Sequence, residues 1–319
     1  MSDDQTYSAA AEVGMVRTRR TRTQRMWIEL KKAPPTAWFG LIVITCYILV
    51  ALFAHWIAPY GEADSSFAAY QPWGDGHVFG TDQIGRDIFS RLIYGARNTI
   101  GIALVTTLLS FLIGGSLGLI AAINRAWLDQ ILSRFVDVLM AIPGLIFALM
   151  LLSIVGSSTI GLIVIIAILD STRVFRLTRA VSLNVVVMDY VEAARLRGEG
   201  LGWVMRREIL PNIMPPLVAE FGLRFCFVFL TIAALSFLGV GIQPPTADWG
   251  SMVRDNASLI QFVRPWMAGD GFGANWARLI EDLKLAAPPL LAAGAIALLT
   301  IAVNFVVDWF LHKTSGLKE

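Results

Sequence analysis

Residues 286–311 read AAPPLLAAGAIALLTIAVNFVVDWFL, an unbroken apolar run whose single charged side chain is Asp308. A helix rises about 1.5 Å per residue, so about 20 apolar residues cross the roughly 30 Å hydrocarbon core of a bilayer. Four further runs meet that length, at 38–58, 100–123, 135–155 and 213–240. Inside hydrocarbon every backbone N–H and C=O must find a partner within the protein, and helices achieve this segment by segment. The pattern therefore predicts an all-α polytopic membrane protein. Composition agrees: 16% of residues are charged, against roughly a quarter in soluble domains.

A sixth segment begins near Thr159 with the run IGLIVIIAIL (160–169) and then meets Asp170. It is short for a span. It is expected to continue as a helix into water, with Arg173 and Arg176 reaching the interface; a re-entrant segment is the rival. Positive charge tests the six-span plan. With the N-terminus inside, cytoplasmic segments hold 18 Lys and Arg and external loops hold 7, with Arg224 inside the fifth span. The excess favours an N-in, C-in topology. The expected organisation is a cytoplasmic extension over 1–36, a transmembrane domain over 37–311 and a cytoplasmic tail over 312–319. External loops fall at 59–98 and 241–285, and a cytoplasmic segment at 190–211.

The first apolar run is long enough to span and follows a basic tract, so it reads as an uncleaved anchor rather than a signal peptide. The tract 17–32 suits either an anionic lipid surface or a solvated tail acting as a topology signal. Cys46 and Cys226 both fall in apolar runs, which suits buried small side chains better than a disulfide or a metal pair. His55, His77 and His312 show no ligand spacing. The net charge of +2 gives no footprint for nucleic acid, and no metal site is indicated.

Catalytic sets are missing too. The phosphate-binding pattern G-x-x-x-x-G-K-[ST] is absent, so ATP is not expected on this chain. GSSTIG (156–161) resembles a serine elbow only loosely, and a helix turn explains it better. Asp137, Asp170, Glu220 and Asp308 fall towards the expected cytoplasmic ends of their spans, whereas an ion relay wants acids midway. Glu220 and Arg224, four apart, share a helix face and can pair.

Against this background YVEAARLRGEGLGWVMRREILPN (190–212) is unusual. Glu192, Arg195 and Glu199 follow helical spacing and make one charged face. Gly198, Gly200 and Gly202 then allow a tight reversal and close approach by another backbone. A second helical piece, 203–210, is expected to run to Pro211, where the next span begins. A solvated connecting loop has no use for this order; docking against another protein does.

The spacing E-A-A, three residues, G, and then I-x-L-P resembles the signature of permease subunits of bacterial ABC importers. Glu192, Ala193, Ala194, Gly198, Leu210 and Pro211 match it. Glu208 stands at the usual isoleucine position with Ile209 after it, and Gly198-Glu199-Gly200 replaces the frequent Gly-Ala-Ser. FGTDQIGRDIFSRLIYGARNT (79–99), FVDVLMAIPGLIFAL (135–149) and LSFLGVGIQPPTADWGSMV (235–253) are similar to segments of the C-type subunit of the dipeptide/oligopeptide/nickel permease family.

That resemblance implies the type I importer permease fold in a bacterial inner membrane, moving peptides or peptide-like solutes. It implies a second, B-type permease, two ATPase subunits carrying ATP and Mg, and a periplasmic or lipid-anchored substrate-binding protein. By it, Glu192, Ala193, Ala194, Arg195, Gly198, Gly202, Leu210 and Pro211 would form the coupling element towards the ATPase. Gly80, Asp82, Gly85, Arg86 and Asp87 would shape the external loop that receives the binding protein, with an Asp–Arg pair fixing a turn. The alternative is a self-sufficient secondary transporter driven by an ion gradient, which would want a midplane ionisable group or a broken helix.

Overall fold

The structure, a computed structural model, describes residues 31, 33–74, 76–124, 127–262 and 272–314. Most of the basic tract at 17–32, Arg125, Arg264 and the last residues of the tail lie outside the described residues. The described residues are helical apart from their connections and one isolated β-bridge, Thr81 to Asp87.

Helix α1 spans Pro35–Leu52, with Pro35 in the first turn where a missing N–H costs nothing. A single turn, α2 (Ala54–Ile57), follows. Helix α3 (Ile88–Ile123) opens at Asp87, whose Oδ2 accepts the Ser90 N–H at 2.7 Å. Next come α4 (Trp127–Ala141) and α5 (Gly144–Val155), then α6 (Thr159–Val186), capped by Ser158 Oγ accepting from the Gly161 N–H at 3.0 Å. After α7 (Asp189–Leu196) the chain enters α8 (Leu201–Phe237). Helix α9 (Trp249–Asn256) is capped by Asp248, and α10 runs over Phe272–Thr314. By length and composition α1, α3, α8 and α10 can cross a membrane, and α4 with α5 makes a fifth if the bent pair counts as one.

The centre is α3 against α6. Without a hydrophobic drive between helices in lipid, small residues that let backbones approach become the adhesive. Ser110, Gly114 and Gly118 lie along one stripe of α3. The Ser110 hydroxyl donates to the Ala167 carbonyl at 3.2 Å, and a Cβ at Gly118 would stand 2.8 Å from the Phe175 carbonyl oxygen. Helices α8 and α10 close the main core around Phe229, Ile232, Leu235, Trp249 and Leu299. A second cluster, at the other end of α3, joins Leu119 and Ile123 to Val186, Val191, Val204, Ile209 and Ile213.

Several boundaries differ from the sequence expectation. Residues 88–98 belong to α3 and 272–285 to α10, so both connections expected as external loops are shorter than the apolar pattern indicated. The 135–155 run is not one straight span: α4 and α5 meet at 88°. Pro143 has no N–H to continue the helix and clashes with the preceding turn, which accounts for the break. Helix α6 does not leave the bundle after Asp170. It carries a buried face of Ser171, Val174, Phe175, Thr178 and Ser182 along α3, and Arg176 and Arg179 on its other side pair with α4. Arg176 Nη2 lies 2.6 Å from Asp137 Oδ1, and Arg179 Nη2 lies 2.6 Å from Asp129 Oδ2. Cys226 is buried as expected, whereas Cys46 is exposed on α1; both are free thiols.

Candidate functional site

The 190–212 segment folds as α7, a reversal and the start of α8. Val191 and Ala194 are fully buried and plant α7 on the second core cluster. That orientation turns Glu192, Ala193 and Arg195 outwards. Of the two alanines, only Ala193 is thus free to meet another protein; Ala194 serves the close approach of α7 to its own bundle. Leu196, 82% exposed, extends the outward face. Among the described residues Glu192, Arg195, Arg197, Arg206 and Arg207 enter no salt bridge within the chain, so their charges are available to a partner.

The end of α7 explains Gly198. The Gly198 N–H donates to the Arg195 carbonyl at 2.9 Å and the Glu199 N–H to the Ala194 carbonyl at 3.2 Å. This double bond is the Schellman cap, which needs a left-handed residue at its corner. Gly198 supplies it with φ of +82°. A Cβ at Gly198, Gly200 or Gly202 would meet nothing within 4 Å, so all three present open backbone at the surface.

Residues 203–210 do not form a separate helix ending at Pro211. Helix α8 starts at Leu201, widens into a π turn over Met205–Ile209, with the Leu210 N–H donating to the Met205 carbonyl, and continues through Leu210 and Pro211 to Phe237. The widened turn lies just before Pro211, which has no N–H to donate. One rigid element therefore links the outward face of α7 to the far side of the bundle, because Val204 and Ile209 share the core of Val191 and Ala194.

The opposite end holds the other predicted group. Asp82 Oδ2 takes Arg86 Nε at 2.6 Å, and its Oδ1 accepts the backbone N–H groups of Ile84 and Arg86, both at 3.0 Å. Asp87 caps α3 with one oxygen and binds His77 Nδ1 with the other at 2.8 Å. Gly80 and Gly85 occupy left-handed corners, at φ of +75° and +79°, pressed against the carbonyls of Gln71 and Phe67. Asp82, Arg86 and Asp87 are each at most 5% exposed. Their side chains hold the turn; what the turn shows to solvent is Ile84, 54% exposed.

Sequence reasoning missed the groups that tie this loop to its neighbour. Arg91 Nη1 donates to the Glu62 carbonyl at 2.9 Å, and Glu62 Oε2 accepts from Asn98 and from the Ala247 N–H. Asp248 accepts from Thr99 Oγ1 at 2.9 Å and from the Ser251 N–H at 2.8 Å. Burial pushes its carboxyl above the usual carboxylate range, against the pull of those hydrogen bonds. The signal was present: both D-I-F-S (87–90) and D-W-G-S (248–251) carry the Asp and Ser spacing of an N-cap. Arg224 was expected to pair with Glu220, and its Nε does lie 2.7 Å from Glu220 Oε1; Asp170 Oδ1, at 3.6 Å from Arg224 Nη1, was not foreseen.

Residues 114–315 match the family model described as binding-protein-dependent transport system inner membrane component. The chain belongs to that family. Residues 21–72 match a second model, the N-terminal TM domain of oligopeptide transport permease C. The chain is 37% identical over 234 residues to the di/tripeptide transport system permease protein of Pseudomonas aeruginosa, covering 71% of this chain and 77% of the relative. It is 38% identical over 251 residues to the dipeptide transport system permease protein of Escherichia coli K12, covering 76% and 82%. The glutathione transport system permease protein of Pectobacterium atrosepticum is 33% identical over 254 residues, covering 78% and 83%. This permease is thus a subunit of a binding-protein-dependent ABC importer and a multi-pass protein of the bacterial inner membrane.

Proposed function

We propose that this permease forms one half of a translocation path for peptides or peptide-like solutes, with a B-type permease forming the other half. ATP and Mg are held by two separate ATPase subunits, and the chain itself catalyses no reaction. The observation that carries the reading is the outward face of α7, locked by the Gly198 cap and joined through a shared core to α8. A partner that grips Glu192, Ala193 and Arg195 moves α7 and α8 as one body, so closure of an ATPase dimer becomes tilting of a membrane helix. ATP then biases the population of inward- and outward-facing states.

In this reading the chain has six spans, N-in and C-in. Helix α6, whose charges keep it from passing as an apolar span, is the fourth, and the bent pair α4–α5 the third. Residues 1–36 and 312–319 face the cytoplasm. The connections before α3 and around α9 receive a periplasmic or lipid-anchored binding protein, with Gly80, Asp82, Gly85, Arg86 and Asp87 holding the receiving turn in shape. Peptides are favoured as cargo because two of the relatives compared carry them by name. The ion-driven alternative finds no support in these relatives.

The test is Gly198→Trp in the assembled importer in proteoliposomes. The reading expects normal membrane insertion and continued ATP hydrolysis, with uptake lost. Normal ATP-coupled uptake by this variant would sink it.

A further inference from the structure

The break between α4 and α5 and the buried charges of α6 and α8 meet at one depth. Asp170 lies about eleven residues into α6, about 16 Å from its Thr159 end, and the twelve residues of α5 carry the chain about 18 Å from Val155 to the break. With α5 and α6 taken as parts of the third and fourth spans of the proposed six, both positions fall near the middle of a hydrocarbon core about 30 Å thick, deeper than the sequence pattern placed Asp170. There a hollow opens, lined by Ile142, Pro143, Leu145, Asp170, Arg173 and Thr231 among others.

Its charges do not cancel in place. Arg224 sits between two carboxylates, with Glu220 at 2.7 Å and Asp170 at 3.6 Å, and its guanidinium lies 4.6 Å from the centre of the Phe227 ring. Arg224 lies closer to Glu220 than to Asp170, so the Asp170 carboxylate is left with its nearest cation 3.6 Å away. Asp170 is 7% exposed, and its Oδ2 has no hydrogen-bond partner among the described residues. A buried carboxylate oxygen left unpaired is unfavourable, and ionisable groups at mid-membrane depth are rare outside transport paths. Arg173, one turn along the same helix, is exposed and forms no salt bridge among the described residues. Helix α5 points its N-terminus, at Gly144, into the same hollow. Helix N-termini carry partial positive charge and spare N–H groups.

We propose that this hollow is the mid-membrane station for a zwitterionic solute: Asp170 takes its ammonium group, and Arg173 with the α5 N-terminus takes its carboxylate. The assignment rests on the reading of the chain as an importer subunit and adds the residues that touch cargo. Proline at the break is what frees the N-terminus at Gly144 in mid-membrane, the arrangement by which interrupted helices bind charged solutes in membranes. Leu139, Leu145 and Phe227 supply the apolar remainder of the lining, which tolerates varied side chains between the two charged ends.

The experiment compares the complete importer with its Asp170→Asn and Arg173→Gln variants in proteoliposomes, using trialanine as the probe. ATP-dependent uptake by the unaltered complex is the control for the importer reading, and its absence would overturn both that reading and this one. Each variant is expected to lose about tenfold or more of its uptake at limiting trialanine, the effect of removing one charged contact. Hydrolysis stimulated by the binding protein should stay within about twofold, because neither side chain lies at α7. Arg173 is exposed and is not needed for folding, so unchanged uptake in Arg173→Gln overturns the assignment. Parallel loss of hydrolysis and uptake in both variants also overturns it, since it would make the charges structural.

Discussion

Replacing Gly198 with alanine isolates the backbone contribution to the α7 cap. The new methyl group would meet nothing within 4 Å, so no steric clash contributes. What remains is φ of +82°, a left-handed conformation that costs an ordinary L-residue about 1–2 kcal/mol. If the cap opens locally, that penalty raises the open population by about 5–30-fold. The two amides concerned are those of Gly198 and Glu199, whose bonds to Arg195 and Ala194 define the cap. Hydrogen exchange of a peptide covering 190–204, measured on the detergent-purified protein, should therefore accelerate by about that factor. Gly198→Asn should fall between glycine and alanine, because asparagine tolerates the left-handed region. Gly200 is the internal control. Its φ of −68° suits any residue, so Gly200→Ala should leave exchange unchanged. Equal acceleration by the two alanine variants, or none from Gly198→Ala, would refute the cap as the reason for this glycine.

Other outcomes follow from the packing. Gly114→Leu should prevent α3 from seating on α6, since even a Cβ there presses on the Ser171 carbonyl; loss of the monodisperse peak in size-exclusion chromatography checks it. Asp82→Ala leaves Arg86 buried with its nearest carboxylate gone, and breaking a buried pair costs about 3–5 kcal/mol; a clear fall in thermal midpoint is expected, with Ser65→Ala, at an exposed position, as the neutral comparison. Ser158→Ala removes the α6 cap at a cost of about 1 kcal/mol, visible as faster exchange of the Gly161 amide with the core unaffected.

The spans were legible because lipid imposes a strict rule on length and polarity. Even there, apolarity could not distinguish a straight helix from the α4–α5 pair, since the bend comes from Pro143 rather than from any polar residue. Helix α6 was legible only in part: Asp170 and the arginines after it looked like an exit into water. The structure shows the opposite face, with Ser171, Phe175 and Thr178, seated on Gly114 and Gly118, a pairing between residues more than fifty positions apart that no local pattern carries. The turn at Gly198 was readable because a left-handed corner demands glycine wherever it occurs. Which alanine faces outwards was not readable, because it depends on where Leu119, Ile123 and Val186 sit beneath α7. The turn itself was legible from Gly80, Gly85 and the Asp82–Arg86 pair, while the ties of Arg86 to Asp255, Asn98 to Glu62 and Thr99 to Asp248 cross between distant segments.

The central claim is that this chain moves solute only as part of an ATP-driven assembly. Its most direct test is uptake of labelled peptide into proteoliposomes, with this chain alone and with the second permease, two ATPase subunits and the binding protein added. The account predicts no uptake by the chain alone under a proton or sodium gradient, and ATP-dependent uptake by the complete set. Gradient-driven uptake by this chain alone would contradict it.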